Sequence, residues 1–213
     1  MTLPTFELGA SGHLDLDVDE LPELEEFLVK KLRWLFQKLD GYAHPVLATG
    51  LARGADQLVA NSALIVGWHL KAVLPCPQNI YITSSDFKRH PKAIDRFHNL
   101  LESCDGRVLE LDWPPKVLDL DIRNQWEQAF RNQSQFIANK CDAVLALWDG
   151  QAVTAGGCGT SYVVDLCSKS SGGNTLLEIV PVKRGRSTSH FNLKKLNWSQ
   201  EIQQVINQLR KTT

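Results

Sequence analysis

The stretch VLATGLARGADQLVA (residues 46–60) passes from a short apolar run to an amphipathic segment, with Gly50 and Gly54 between the two. A short apolar run bounded by turn residues is typical of a buried strand, whereas apolar residues at three- and four-residue steps are typical of a helix. The stretch therefore predicts a strand that turns directly into a helix. In α/β proteins such joints lie at the carboxyl ends of the strands, where ligands bind.

The same alternation continues along the whole chain. Short apolar runs predict six strands: FELGA (6–10), PVLA (45–48), LKAVLP (70–75), RVLEL (107–111), DAVLALW (142–148) and LLEIVPV (176–182). Segments with helical periodicity lie near residues 20–39, 55–67, 91–103, 122–139, 159–170 and 198–210. This order predicts an α/β protein with a Rossmann-like, three-layer α/β/α fold and a mainly parallel sheet.

The composition narrows the class of protein. The 213 residues show no break in composition, which favours a single domain over 1–213 with a basic loop at 183–197 and a C-terminal helix at about 198–210. A formal net charge of -1 provides no overall field for nucleic acid or a membrane surface, so an anion site has to be local. The five cysteines include no CxxC pair and indicate neither a disulfide framework nor a metal site. No signal peptide or membrane-spanning segment is recognisable, so a cytoplasmic protein is expected.

Two connections between predicted elements are long. Residues 76–91 and 112–121 contain prolines and exceed the roughly two to six residues that are usual in α/β units. Such connections are candidates for functional loops or for surface excursions.

Three segments rich in glycine or small residues follow strand candidates: GASGH (9–13), TGLARGAD (49–56) and WDGQAVTAGGCGTS (148–161). Glycine permits positive φ and a close approach of the backbone to a ligand. A helix that begins there directs its free N–H groups and the positive end of its dipole at the same place. Together these features predict a phosphate site, although each loop alone is also explained by a simple reversal of the chain.

Single residues in these loops leave alternatives open. Arg53 can bind phosphate oxygens or pair with a carboxylate, and Asp56 can contact a ligand or only stabilise the helix start. His13 can bond a ligand or tie down its own loop. Asp149 can accept a bond from a ribose hydroxyl or make the turn to the next residue. For Cys158, the start of a helix is expected to lower the thiol pKa.

The motifs TGLARGAD, RNQSQFIANKCDAVLALWDG and AGGCGTSYVVD resemble those of the SLOG superfamily. This superfamily contains DprA/Smf DNA-processing proteins, LOG-type nucleotide phosphoribohydrolases, YpsA-type proteins and nucleotide-sensing domains. The opening GASGHLDLDV is similar to the first-strand loop of further bacterial members, with Leu14 where an arginine is common. The likeness extends over roughly residues 6–180 and implies a Rossmann-like fold with a nucleotide-type pocket.

The resemblance to LOG enzymes is incomplete at their PGGxGTxxE motif. The residues that match it are Gly156, Gly157, Gly159 and Thr160. Ala155 replaces the proline, and Val163 occupies the position of the glutamate that helps to break the N-glycosidic bond. Asp165 is no substitute, because two residues along a helix correspond to a rotation of about 200°. The resemblance therefore implies a phosphate cradle without its catalytic acid, and no catalytic residue is assigned.

The resemblance to DprA rests on TGLARGAD, which is close to the SGLARGID of that family. It implies that Arg53 contacts a phosphate of single-stranded DNA. Binding of that kind requires a positively charged groove and stacking aromatic residues. The net charge near zero disfavours it.

These observations favour binding of a nucleotide-derived small molecule, such as ADP-ribose or a related signalling nucleotide, by a sensor or regulatory domain. A LOG-like hydrolase of a nucleotide N-glycosidic bond is the alternative, and DprA-like binding of single-stranded DNA comes third. No cofactor, metal or membrane partner is expected; the resemblance allows a homodimer that no residue requires. The expected ligand-binding residues are Ser11, Gly12, His13, Thr49, Gly50, Arg53, Gly54, Asp56, Asp149, Gly156, Gly157, Gly159, Thr160 and Ser161.

Overall fold

The computed structural model describes residues 3–88, 90–113, 122–151, 157–169 and 176–184, together with residues 202, 205 and 207. The strands in these ranges are β1 (Thr5–Gly12), β2 (His44–Thr49), β3 (His69–Leu74), β4 (Val108–Glu110), β5 (Ala143–Trp148) and β6 (Leu176–Pro181). The helices are α1 (Leu21–Leu39), α2 (Ala55–Val66), α3 (Gln78–Tyr81), α4 (Pro91–Glu102), α5 (Ile122–Lys140) and α6 (Thr160–Lys169).

The six strands form one parallel sheet in the order β4-β3-β2-β1-β5-β6. The chain runs outward from β1 to β4 and then returns to place β5 on the other side of β1. In sheets of this kind the crevice at the carboxyl ends of the two strands where the order reverses is the usual place for a ligand. The predicted Rossmann-like α/β fold is confirmed, and its switch point lies between β1 and β5.

Helices cover both faces of the sheet, since successive strand residues point to opposite sides. On one face α1 buries Leu28, Leu32, Leu35 and Leu39, which recur at three- and four-residue steps. On the other face α5 and α6 pack on Val73 and Val144, among others. Full burial of one such side chain stabilises the fold by about 1.5–3 kcal/mol. The carboxyl edge of the sheet is where polar groups collect.

The structure departs from the prediction in two places. β1 continues through Ser11 and Gly12, because these residues pair with Ala146 and Leu147 of β5, so they belong to the strand and not to a loop. The connection 76–91 contains the short helix α3, which the pattern did not predict.

The C-terminal part of the prediction is only partly covered. Residues 202, 205 and 207 are helical. The rest of the predicted helix at 198–210 and residues 185–197 of the basic loop lie outside the described residues. Among the helices that the structure describes, none is both long enough and apolar enough to cross a bilayer.

Candidate functional site

A cavity of about 280 Å³ lies at the carboxyl edge of the sheet, at the switch point between β1 and β5. Its walls come from the end of β1, the turn after β2, the connection after β3 and the start of α6, with α5 facing them. Five segments that are distant in sequence therefore meet around one space.

The structure brings six of the expected ligand-binding residues together in this lining: Ser11, Gly12, Gly50, Asp56, Gly159 and Thr160. Seven others lie beside the cavity without lining it: His13, Thr49, Arg53, Gly54, Asp149, Gly157 and Ser161. Gly156 lies outside the described residues.

Two glycines of the lining allow close packing. A Cβ on Gly12 would lie 2.2 Å from the Cβ of Ala55, so α2 can begin against the end of β1 only if residue 12 has no side chain. A Cβ on Gly50 would lie 2.4 Å from Nε2 of Gln133, which donates a 2.6 Å hydrogen bond to the backbone oxygen of Val73. Glycine at position 50 thus lets α5 come close enough to form the opposite wall.

Gly54 closes the turn between β2 and α2. Its φ of +89° favours glycine, and a Cβ there would lie 2.4 Å from the backbone oxygen of Leu14. The next residue, Ala55, donates a 3.0 Å backbone hydrogen bond to His13. Gly54 therefore holds the turn against the segment that follows β1.

Asp56 is a buried carboxyl group on the cavity wall, with only 8% of the residue exposed. Burial raises its pKa to about 7, because the charged form loses hydration. Hydrogen bonds from the Thr49 hydroxyl and from backbone N–H groups of Ala52 and Gly12 oppose this shift. Thr49 and Gly12 therefore also act on the site through Asp56.

Asp86 is a second buried carboxyl group on the same wall, with 7% of the residue exposed. Burial raises its pKa to about 6, while a hydrogen bond from Ser85 and the charge of Arg53 lower it. The negative charge of Asp86 in turn raises the pKa of Asp56. Both carboxyl groups of the cavity therefore have raised pKa values, chiefly because they are buried.

The Tyr81 hydroxyl adds a third buried polar group to this wall. Its ring packs edge-on against Phe87, Phe97 and Phe130 at centroid distances of 5.0, 5.8 and 6.2 Å. Within the described residues the hydroxyl has no hydrogen-bond partner, although it is fully buried. Burial raises the pKa of Tyr81 well above its ordinary value, so the group remains a neutral donor. An unsatisfied buried hydroxyl costs about 1–3 kcal/mol.

The start of α6 also lines the cavity, together with Asp56, Asp86 and Tyr81. Gly159 has a φ of +88°, and its carbonyl accepts hydrogen bonds from the N–H groups of Tyr162 and Val163 at 3.0 and 3.1 Å. Among the described residues, the N–H groups of Thr160 and Ser161 find no acceptor. The positive end of the α6 dipole therefore faces the cavity.

Cys158 lines the cavity just before α6. Burial raises the pKa of its thiol, and Glu127 raises it further. The expected lowering of the thiol pKa is wrong, because desolvation of the thiolate is the largest effect on this group.

His13 and Asp149 bond to each other beside the cavity. The Asp149 N–H donates a 3.1 Å hydrogen bond to Nε2 of His13, and burial lowers the pKa of His13, which favours the neutral imidazole. The Asp149 carboxylate accepts a 3.0 Å bond from the N–H of Gln151, which forms the turn after β5. Both residues thereby fasten the end of β1 to the end of β5.

Arg53 lies outside the cavity lining and forms no ion pair with a carboxylate among the described residues. Its Nε donates a 3.3 Å hydrogen bond to the backbone oxygen of Asp86. The guanidinium lines a neighbouring cavity instead.

Several residues of the lining were not identified from the sequence: Tyr81, Ser85, Asp86, Gln133 and Ser134. The first three belong to the connection 76–91, and the unusual length of that connection is the sequence feature that marked it as a candidate functional loop. The last two come from one face of α5, where the sequence gives no indication of which polar side chains turn inward. Within the described ranges, no group of three or more His, Cys, Asp or Glu side chains is arranged to hold a metal ion.

Comparison with solved structures finds two similar proteins of interest. DNA processing protein A (DprA) from Streptococcus pneumoniae is 15% identical with a TM-score of 0.48, over 97% of this chain and 56% of that chain. The structural-genomics target TM1055 is 14% identical with a TM-score of 0.41, over 76% of this chain and 68% of that chain. This chain thus spans little more than half of DprA. At such identities both likenesses concern the fold alone.

No family model matches the sequence, and no curated protein matches it. DprA is among the SLOG proteins that the sequence motifs resemble. The fold expected from that resemblance is present in the sheet itself.

Proposed function

We propose that this chain binds a nucleotide-derived small molecule, such as ADP-ribose or a related signalling nucleotide, and acts as a sensor or regulatory domain. The observation that carries the proposal is the convergence of the buried residues Asp56, Asp86 and Tyr81 on one cavity that the start of α6 also lines.

The polar groups match the two ends of such a ligand. Carboxyl oxygens of Asp56 and Asp86 accept hydrogen bonds from ribose hydroxyls, and the Tyr81 hydroxyl donates to a ligand oxygen. A phosphate binds the N–H groups of Thr160 and Ser161, where the helix dipole favours negative charge. The carboxyl groups favour the sugar on their side and keep the phosphate on the α6 side.

The cavity volume supports a ligand of limited size. About 280 Å³ lies at the lower end of the roughly 300–1,000 Å³ that is typical of small-molecule pockets. A nucleoside or mononucleotide portion fills such a space, and the remainder of a larger nucleotide extends beyond the edge of the sheet.

Calorimetric titration with ADP-ribose and AMP tests the proposal. We expect saturable binding that Asp86→Asn weakens by roughly tenfold or more, because a hydrogen bond that involves an ionised group is lost. Asp95→Asn is the matched control: Asp95 is an exposed residue of α4 outside the cavity lining, so its affinity stays at the wild-type value. Absence of saturable heat with both ligands refutes the proposal.

A second candidate function is LOG-like hydrolysis of a nucleotide N-glycosidic bond. The pKa of about 7 at Asp56 favours it, because a general acid works best when its pKa is close to the operating pH. Asp56 would protonate the leaving base as the C1′–N bond breaks, and water would add to C1′. An acid would thus be supplied from α2, although Val163 occupies the glutamate position of the LOG motif.

Chromatography of the reaction mixture separates the two candidates. Release of free base from AMP that Asp56→Asn abolishes, and that Asp95→Asn preserves, supports hydrolysis. Saturable binding without any free base supports the sensor.

A further inference from the structure

A second cavity, of about 550 Å³, lies on the other side of the turn between β2 and α2. Basic side chains line one side of it: Arg53 from that turn, and His90, Lys92 and Arg96 from the start of α4. No carboxyl group occurs among the described residues that line it. The first cavity has two buried carboxyl groups, so the two neighbouring spaces differ in charge.

The arginine and lysine side chains of this lining have no ion-pair partner among the described residues. Within the described part of the chain, Arg53, Lys92 and Arg96 form no ion pair. Lys92 and Arg96 stand four residues apart on α4, where like charges repel. The first turn of α4 contains no acidic residue, so nothing there offsets the unfavourable position of cations at a helix start.

Hydrogen bonds hold the two sources of charge in place. The side-chain amide of Gln57 on α2 is buried and donates a 2.8 Å hydrogen bond to the backbone oxygen of Ala93 on α4. Arg53 is held through its Nε by the bond to the backbone oxygen of Asp86, and its charge also acts on the Asp86 carboxyl group. Basic groups from the turn after β2 and from α4 therefore line one space.

The remaining wall of the second cavity is apolar. It is formed by Leu16, Leu21 and Leu58, together with the side chain of Val18, which is 73% exposed. An inorganic ion would make no contact with this apolar wall. A ligand that combines an anionic group with an apolar part contacts both sides.

We propose that the second cavity is a binding site for an organic phosphate monoester. Its phosphate contacts Arg53, Lys92 and Arg96, and its organic part contacts Leu16, Leu21 and Leu58. A phosphate has several oxygens and at least one full charge, and so it can accept hydrogen bonds from separate basic side chains at once. The site is distinct from the cavity between β1 and β5, and the proposal does not depend on the function proposed above.

Titration with phenyl phosphate, by calorimetry or ligand-observed NMR, tests this site. We expect saturable binding that the double variant Lys92→Gln/Arg96→Gln weakens by roughly tenfold or more. Arg33→Gln is the matched control, because Arg33 is an exposed residue of α1 outside this lining. Inorganic phosphate should bind more weakly than phenyl phosphate, and phenol should show no saturable binding.

Three results overturn the proposal. They are the absence of saturable binding of phenyl phosphate, wild-type affinity in the double variant, and an equal loss in Arg33→Gln. ADP-ribose, which has no phosphate monoester group, distinguishes the two cavities: a loss of its affinity in the double variant but not in Asp86→Asn places it in the second cavity and refutes the function proposed for the first.

Discussion

Arg53 and Asp86 are joined by a 3.3 Å hydrogen bond from Nε to the backbone oxygen, and the same arginine lowers the pKa of the Asp86 carboxyl group. The turn after β2 and the connection after β3 are thereby linked both mechanically and electrostatically. The turn after β2 leads into α2, which supplies Asp56 to the cavity, and the connection after β3 supplies Asp86.

Removing the positive charge of Arg53 should raise the pKa of Asp86 above its value of about 6. A nearby cation favours the ionised carboxylate, so its loss favours the protonated form. The carboxyl ¹³C shift of Asp86, followed by NMR during a pH titration of Arg53→Gln, measures this change. Arg33→Gln serves as the control; an Asp86 titration that does not move in Arg53→Gln contradicts the electrostatic link.

Asp56 should make the protein less stable as the pH rises towards 7. Its folded pKa of about 7 lies above the ordinary value of 3.8, so the folded state holds a proton that the unfolded state has already released. The stabilisation is complete below about pH 4 and is lost as the pH rises through 7, by an amount on the order of 4 kcal/mol.

Urea unfolding of Asp56→Asn between pH 4 and pH 8 measures this contribution. The variant should show a flatter dependence of the unfolding free energy on pH, because asparagine does not titrate. Asp95→Asn should keep the wild-type slope. Equal slopes in all three proteins would show that Asp56 is not protonated in the folded state.

Tyr81→Phe should lower the affinity for ADP-ribose without lowering the stability of the fold. Since the hydroxyl has no partner among the described residues, its removal should leave the stability unchanged or increase it by about 1 kcal/mol. The affinity for ADP-ribose should fall by roughly tenfold, because a donor to the ligand is lost. Thermal unfolding with and without ADP-ribose measures both effects.

Tyr162→Phe is the control for that experiment. Its hydroxyl accepts a 3.2 Å hydrogen bond from Gln135 on the exposed side of α5 and does not line the cavity. This variant should retain the wild-type affinity for ADP-ribose. Marked destabilisation by Tyr81→Phe would reveal a hydrogen-bond partner of that hydroxyl.

Cys158 should react slowly with thiol reagents at pH 7 and faster as the pH rises. Burial raises the pKa of the thiol, and only the thiolate is nucleophilic. ADP-ribose should slow the reaction further, because Cys158 lines the cavity. Mass spectrometry of the labelled peptide follows the rate, with Cys167 as the unprotected reference. Fast labelling at pH 7 would contradict the raised pKa.

The strands were predictable because each one is marked by a short apolar run within its own sequence. A parallel sheet covered on both faces requires short, continuous apolar runs such as DAVLALW, and each predicted run became a strand. The end of β1 was misplaced because Ser11 and Gly12 owe their strand conformation to pairing with β5. No pattern within residues 9–13 contains that information.

The candidate site was predictable only where it lies next to a strand end. Glycines after β2 marked the turn at Gly50 and Gly54, and their roles there are steric. Asp86 and Gln133 reach the cavity from distant segments, and only the folded arrangement shows that they do. The burial of Asp56 was also hidden, since a carboxyl group in the first turn of a helix is usually exposed to water.

The turn after β2 is a single backbone segment that lies between the two cavities. Ala52 and Asp56 face the carboxyl-lined space, whereas Arg53 and Gly54 face the basic one. Any displacement of this segment that widens one compartment narrows the other. Ligands in the two cavities would therefore contact opposite sides of the same backbone segment.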